Sequence, residues 1–100
     1  VAPPFILAFS VEAQRVLADL KKPQHARKKK KVDKALKLLQ DAGPSYPGLN
    51  SHKLNGITGP GGGDLWDSYV ENNTPSAWRL YWEYGDDDYI FVVGIGPHKF

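Results

Sequence analysis

Arg79 stands between Trp78 and Leu80 in a segment that alternates. Trp78, Leu80, Trp82 and Tyr84 fall on one side of an extended chain, and Arg79, Tyr81 and Glu83 on the other. A guanidinium carried on a packed strand is held rigidly, and a rigid guanidinium can clamp phosphate oxygens. Tyr81 shares its face and offers a ring on which a base can stack. His98 follows Ile95-Gly96-Pro97 and supplies an imidazole, the side chain best suited to moving protons near neutrality. His52 and Lys53 lie in a second, shorter extended segment. Metal-free cleavage of RNA needs parts of this kind. A base takes the proton of a ribose 2′-hydroxyl, and that oxygen attacks the neighbouring phosphate. A cation stabilises the charge that builds there, and an acid protonates the leaving 5′-oxygen.

Other chemistries find less support. His25, His52 and His98 are the only histidines, and none stands at ligand spacing from another. The chain has no Cys, which excludes disulfides, thiolate nucleophiles and cysteine-bound zinc. The glycine-rich stretch 56–63 lacks a Gly-Lys-Ser/Thr ending, so it is read as a connection between strands rather than a phosphate-binding loop. No metal and no cofactor are expected.

The elements that position these residues follow from periodicity. Residues 5–9 form an apolar run, expected to be a buried strand. Ser10 is placed to cap a helix whose apolar positions Ala13, Val16, Leu17 and Leu20 recur at helical spacing. That helix ends by Pro23. Val32, Ala35, Leu36 and Leu39 repeat the spacing and predict a second helix over 27–42, stopped by Gly43-Pro44. Extended segments are expected over 51–55, 65–71, 77–84 and 89–95, with turns at 72–75 and 85–88. In the segment 65–71, Leu65, Asp67 and Tyr69 face one way, and Asp67 brings a charge of the wrong sign for a phosphate site. The segment 89–95 is the most apolar and is expected inside the sheet. The simplest arrangement is an α+β domain, in which an antiparallel helix pair packs on one face of a mainly antiparallel sheet.

A chain of 100 residues fits one domain over 1–100. Its charge is uneven. Through position 42 it carries ten Lys/Arg against four Asp/Glu, and beyond it three against seven. A basic half suits an anionic partner such as nucleic acid or an acidic protein. Lys28, Lys29, Lys30, Lys31, Lys34 and Lys37 supply most of it, off the apolar stripe of the second helix. No apolar run reaches membrane-spanning length, and the opening Val1-Ala2-Pro3-Pro4 lacks a signal peptide's pattern. No membrane partner is expected, and a cytoplasmic protein fits.

Four segments taken together resemble the RelE/ParE toxin superfamily. They are Gly48-Leu49-Asn50-Ser51-His52-Lys53-Leu54-Asn55-Gly56, Leu65-Trp66, Trp78-Arg79-Leu80-Tyr81-Trp82 and Ile95-Gly96-Pro97-His98. The resemblance covers nearly the whole chain. It implies a β-α-α-β-β-β order with the helix pair on one curved sheet. It also implies the toxin of a type II toxin–antitoxin system, an endoribonuclease that inhibits translation by cleaving mRNA in the ribosomal A site. On that resemblance Arg79 contacts the scissile phosphate, and His98, with Lys53, completes the catalytic set. The lysine-rich helix, His52 and Tyr81 meet RNA on the ribosome, and a cognate antitoxin wraps the toxin and covers its basic surface. Two other readings share these residues: a ParE-like toxin that poisons DNA gyrase without nuclease activity, and a non-catalytic RNA-binding module. Arg79 together with His98 favours the nuclease.

Overall fold

A computed structural model of the chain describes residues 2–98. The elements run β1 (Ile6–Phe9), α1 (Val11–Asp19), α2 (Ala26–Asp41), β2 (His52–Thr58), β3 (Asp64–Tyr69), β4 (Trp78–Tyr84) and β5 (Tyr89–Pro97), with single 3-10 turns at Pro23–His25 and Pro47–Leu49. Four strands follow the helices, one more than the β-α-α-β-β-β order. The sheet is ordered β1-β5-β4-β3-β2. Neighbours are antiparallel except β1, which runs parallel to β5 with Ile6 opposite Tyr89 and Phe9 opposite Val92. The apolar β5 is therefore interior, as its composition implies, and β4 is the middle strand.

Local chemistry accounts for the helices. The Ser10 hydroxyl accepts the Ala13 N–H at 3.0 Å and caps α1. Gly43 ends α2 in a left-handed conformation (φ 85°), which lets its N–H reach back to the Leu38 carbonyl at 3.1 Å. Ala13 and Leu20 from α1 join Val32, Ala35 and Leu39 from α2 in one core with Leu80, Trp82, Ile90 and Val92 of the sheet. Each large side chain buried there contributes roughly 1.5–3 kcal/mol. Trp82 stacks on Trp66 at 5.5 Å, and its indole N–H donates to the Ser68 hydroxyl at 2.8 Å. The buried ring thus leaves no polar atom unpaired. Among the described residues, no helix is long and apolar enough to cross a membrane.

The glycine-rich stretch has a packing reason. Strand β2 continues to Thr58, past the end expected at 55, so the loop proper is only 59–63. It folds over the Glu83 carboxylate, which accepts the Gly61 N–H at 2.7 Å. A Cβ at Gly59 would stand 2.5 Å from a Glu83 oxygen, so any side chain there would displace the Glu83 carboxylate from its place under the loop. Glu83 is buried as a result.

Candidate functional site

The face of the sheet opposite the helices gathers the polar strand residues. Residues directly opposed across a ladder share a face. Asp67 is opposed to His52 and Tyr81, Tyr69 to Arg79, and Arg79 to Gly96. The pairing therefore brings His52, Asp67, Tyr69, Arg79 and Tyr81 onto one patch from three strands. On the strand opposite, a Cβ at Gly96 would meet no atom of the described residues within 4 Å.

Arg79 is gripped from several sides. Its side chain is only 11% exposed, with Nε 3.3 Å from Asp67 Oδ1. Nη1 donates to the carbonyls of Glu71 at 2.8 Å and Trp78 at 3.3 Å. The guanidinium lies 3.9 Å over the Tyr69 ring, a cation–π contact. Among the described residues, Nη2 has no hydrogen-bond partner. The two-pronged clamp expected of Arg79 is thus narrowed, because main-chain carbonyls already engage one prong.

Asp67 is fully buried, and neither carboxylate oxygen accepts a hydrogen bond among the described residues. Burial pushes its carboxyl above the usual range, against the opposing charges of His52, Arg79 and His98. His52 approaches from the other side, with Nε2 3.9 Å from Asp67 Oδ2 and its ring edge-on to Tyr69. His52 Nδ1 lies 3.0 Å from the Asn50 carbonyl. A carbonyl only accepts, so Nδ1 carries the hydrogen and Nε2 is the basic nitrogen of the neutral ring. His98 sits exposed just past β5. Its main-chain N–H donates to the Ala77 carbonyl at 2.9 Å, which places it at the start of β4.

Two expected site residues lie elsewhere or are covered. Lys53 is opposed to Trp66, so it points to the helix side, where its Nζ lies 3.9 Å from Asp64. A one-residue step along a strand reverses the face, and the structure does not bring Lys53 to Arg79. Tyr81 is 5% exposed, and its hydroxyl points to the Pro97 carbonyl at 3.4 Å. Little of its ring remains for a base.

The basic helix is partly neutralised. Lys28 and Lys31 both reach the Glu71 carboxylate, at 2.7 and 3.0 Å, and the Trp78 N–H donates to it at 3.2 Å. Burial would push that carboxyl up, but these hydrogen bonds outweigh it and hold it down to about 2. Lys29 pairs with Asp33 and Lys37 with Asp41. Lys30 and Lys34 are exposed, with no acidic partner among the described residues.

Asp67, Tyr69 and Glu71 complete the site, and sequence reasoning assigned them no role in it. The signal for two of them was present, since Asp67 and Tyr69 alternate onto one face. The ladder register that sets that face beside Arg79 was not.

No family model matches the chain, and no curated protein matches it in sequence. Solved structures share its fold. The YoeB dimer from Staphylococcus aureus is 18% identical, with a TM-score of 0.69 over 96% of this chain and 99% of that one. A chain of the E. coli DinJ–YafQ toxin–antitoxin complex is 20% identical, with a TM-score of 0.64 over 95% of this chain and 93% of that one. YafQ from E. coli strain BL21(DE3) is 17% identical, with a TM-score of 0.62 over 94% and 93%. The α+β fold expected from the RelE-like resemblance is the fold found.

Proposed function

We propose that the chain is the toxin of a type II toxin–antitoxin pair, a RelE-like endoribonuclease that cuts mRNA in the ribosomal A site without a metal. The observation that carries this reading is Arg79. It is immobilised by Asp67, Tyr69 and two carbonyls, yet among the described residues its Nη2 has no hydrogen-bond partner, and His52 and His98 lie around the same patch. The shared fold of YoeB and YafQ supports it. In this reading Nη2 meets the scissile phosphate and stabilises the charge of the attack. Asp67 and the carbonyls keep the guanidinium from turning away, so little reorganisation accompanies the reaction. Asp67 thus stands behind the cation rather than in the phosphate seat, which accounts for its sign. His98, an exposed imidazole, exchanges the proton with the 2′-hydroxyl or the leaving 5′-oxygen, and His52 is placed to serve the other step. Lys30, which has no acidic partner among the described residues, faces ribosomal RNA. A cognate antitoxin covers this surface, as the DinJ–YafQ complex suggests, and the setting is the cytoplasm.

The test is primer extension on ribosomes translating a defined mRNA. The protein produces new 5′ ends inside A-site codons. Arg79→Ala abolishes them and relieves growth arrest, while its circular dichroism stays native. Intact mRNA with inhibited gyrase supercoiling would refute the nuclease and favour a gyrase poison.

A further inference from the structure

Tyr81 is covered, so a base-stacking surface must come from another ring. Between α2 and the β3–β4 turn lies a groove of about 390 Å³, a size suited to a small-molecule-sized ligand. Its base is apolar, with Leu38, Leu49 and Val70. Tyr46 and Lys34 stand on its walls. Tyr46 is 40% exposed. Its ring rests on the main chain at Gly48, where a Cβ would come within 2.8 Å of Cε2. The ring is thereby held close to this glycine while two fifths of the residue stays exposed. Lys34 has no acidic partner among the described residues. Glu71, also at the groove, is already matched by Lys28 and Lys31, so the local charge is positive. Tyr69 and Glu71 line the groove and both contact Arg79, which puts the groove next to the candidate site.

We infer that this groove seats a nucleotide of single-stranded RNA neighbouring the one held at Arg79, with its base on Tyr46 and its phosphate on Lys34. The inference rests on the ribonuclease reading and adds a substrate subsite to it. A partly apolar lining with an aromatic ring and a cation that has no acidic partner among the described residues matches a nucleotide, which has one flat face and one charge. An acidic peptide would also meet the cation, but it brings no flat base to stack on Tyr46.

The test combines protein variants with base deletions in mRNA on programmed ribosomes, read as single-turnover cleavage rates at subsaturating protein. Tyr46→Ala slows cleavage roughly tenfold, the loss of one stacked base, and Tyr46→Phe restores it. An abasic nucleotide at one position flanking the cleaved linkage slows the wild-type protein equally, yet costs Tyr46→Ala nothing further. Lys34→Ala slows cleavage and flattens its salt dependence, whereas Lys30→Ala, away from the groove, does so less. Thermal melts confirm that the variants are folded, as the exposure of Tyr46 and Lys34 leads one to expect. The subsite is overturned if Tyr46→Ala cuts at the wild-type rate, if the two losses multiply, or if Lys30→Ala matches Lys34→Ala. Loss of antitoxin binding with unchanged cleavage would also overturn it, and would assign the groove to a peptide. In all these outcomes the wild-type protein still cuts mRNA. Failure of the wild-type protein to cut overturns the ribonuclease reading itself.

Discussion

Glu71 joins the basic helix to the strands of the site, and its removal has a calculable consequence. The carboxylate receives Lys28 and Lys31 from α2 and the Trp78 N–H from β4, and its side chain is only 14% exposed. Burial opposes its ionisation, yet these donors bring the carboxyl from the ordinary 4.5 down to about 2. At about 1.4 kcal/mol per pH unit, that depression is worth roughly 3 kcal/mol of stability to the ionised form. Because the folded value lies below the unfolded one, the contribution is complete above about 4.5 and is lost as pH falls toward 2. Glu71→Gln keeps the shape and removes the charge, so it destabilises the domain by about 2–3 kcal/mol at pH 7. Urea denaturation of both proteins across pH 2 to 7 measures it, with the wild-type advantage shrinking through the acid range. An unchanged midpoint at pH 7, or a difference that persists undiminished near pH 2, would refute the clamp. The Glu71 carbonyl also holds Arg79 Nη1, so the variant is expected to cut more slowly as well.

Other outcomes follow from the same geometry. Asp67 has the opposite sign: burial raises its carboxyl, so its ionisation costs stability as pH rises above about 3.8. Asp67→Asn therefore gains stability relative to wild type between acid and neutral pH while losing cleavage activity, and parallel pH–stability curves would contradict this. His98→Ala lowers the cleavage rate at saturating ribosomes more than it weakens ribosome binding. Equal rates for the two proteins would remove His98 from the proton transfers. Gly59→Ala drives a methyl against the Glu83 carboxylate and costs about 1–3 kcal/mol, measured by the same urea titration. A neutral result would mean that the loop is not pressed onto Glu83 as the 2.5 Å approach requires.

Much of the architecture is legible in the sequence. Helical spacing alone marks the buried Ala13, Val32, Ala35 and Leu39, and Ser10 and Gly43 bound their helices through local hydrogen bonds. Alternation marks the two faces of β4. These features depend on neighbours within a few residues, where backbone geometry is nearly the same in any fold. Arg79 as a strand-held cation and His98 at a strand end belong to the same class.

What the sequence could not determine is which faces meet, because that depends on register between strands distant in the chain. The pairing of His52 with Asp67, and of Tyr69 with Arg79, assembles the patch, while the neighbouring pairing of Lys53 with Trp66 turns Lys53 away. Burial is likewise a tertiary property. Glu83 and Tyr81 lie on the polar side of their strand, yet the glycine-rich loop covers Glu83, and Tyr81 is buried as well. The Arg79 of the opening segment is thus a strand-borne cation by its own sequence, and Asp67, Tyr69 and the Glu71 carbonyl make it rigid. That it sits beside a buried carboxylate and two histidines, with one nitrogen unengaged among the described residues, was decided only when strands β2 to β5 were set side by side.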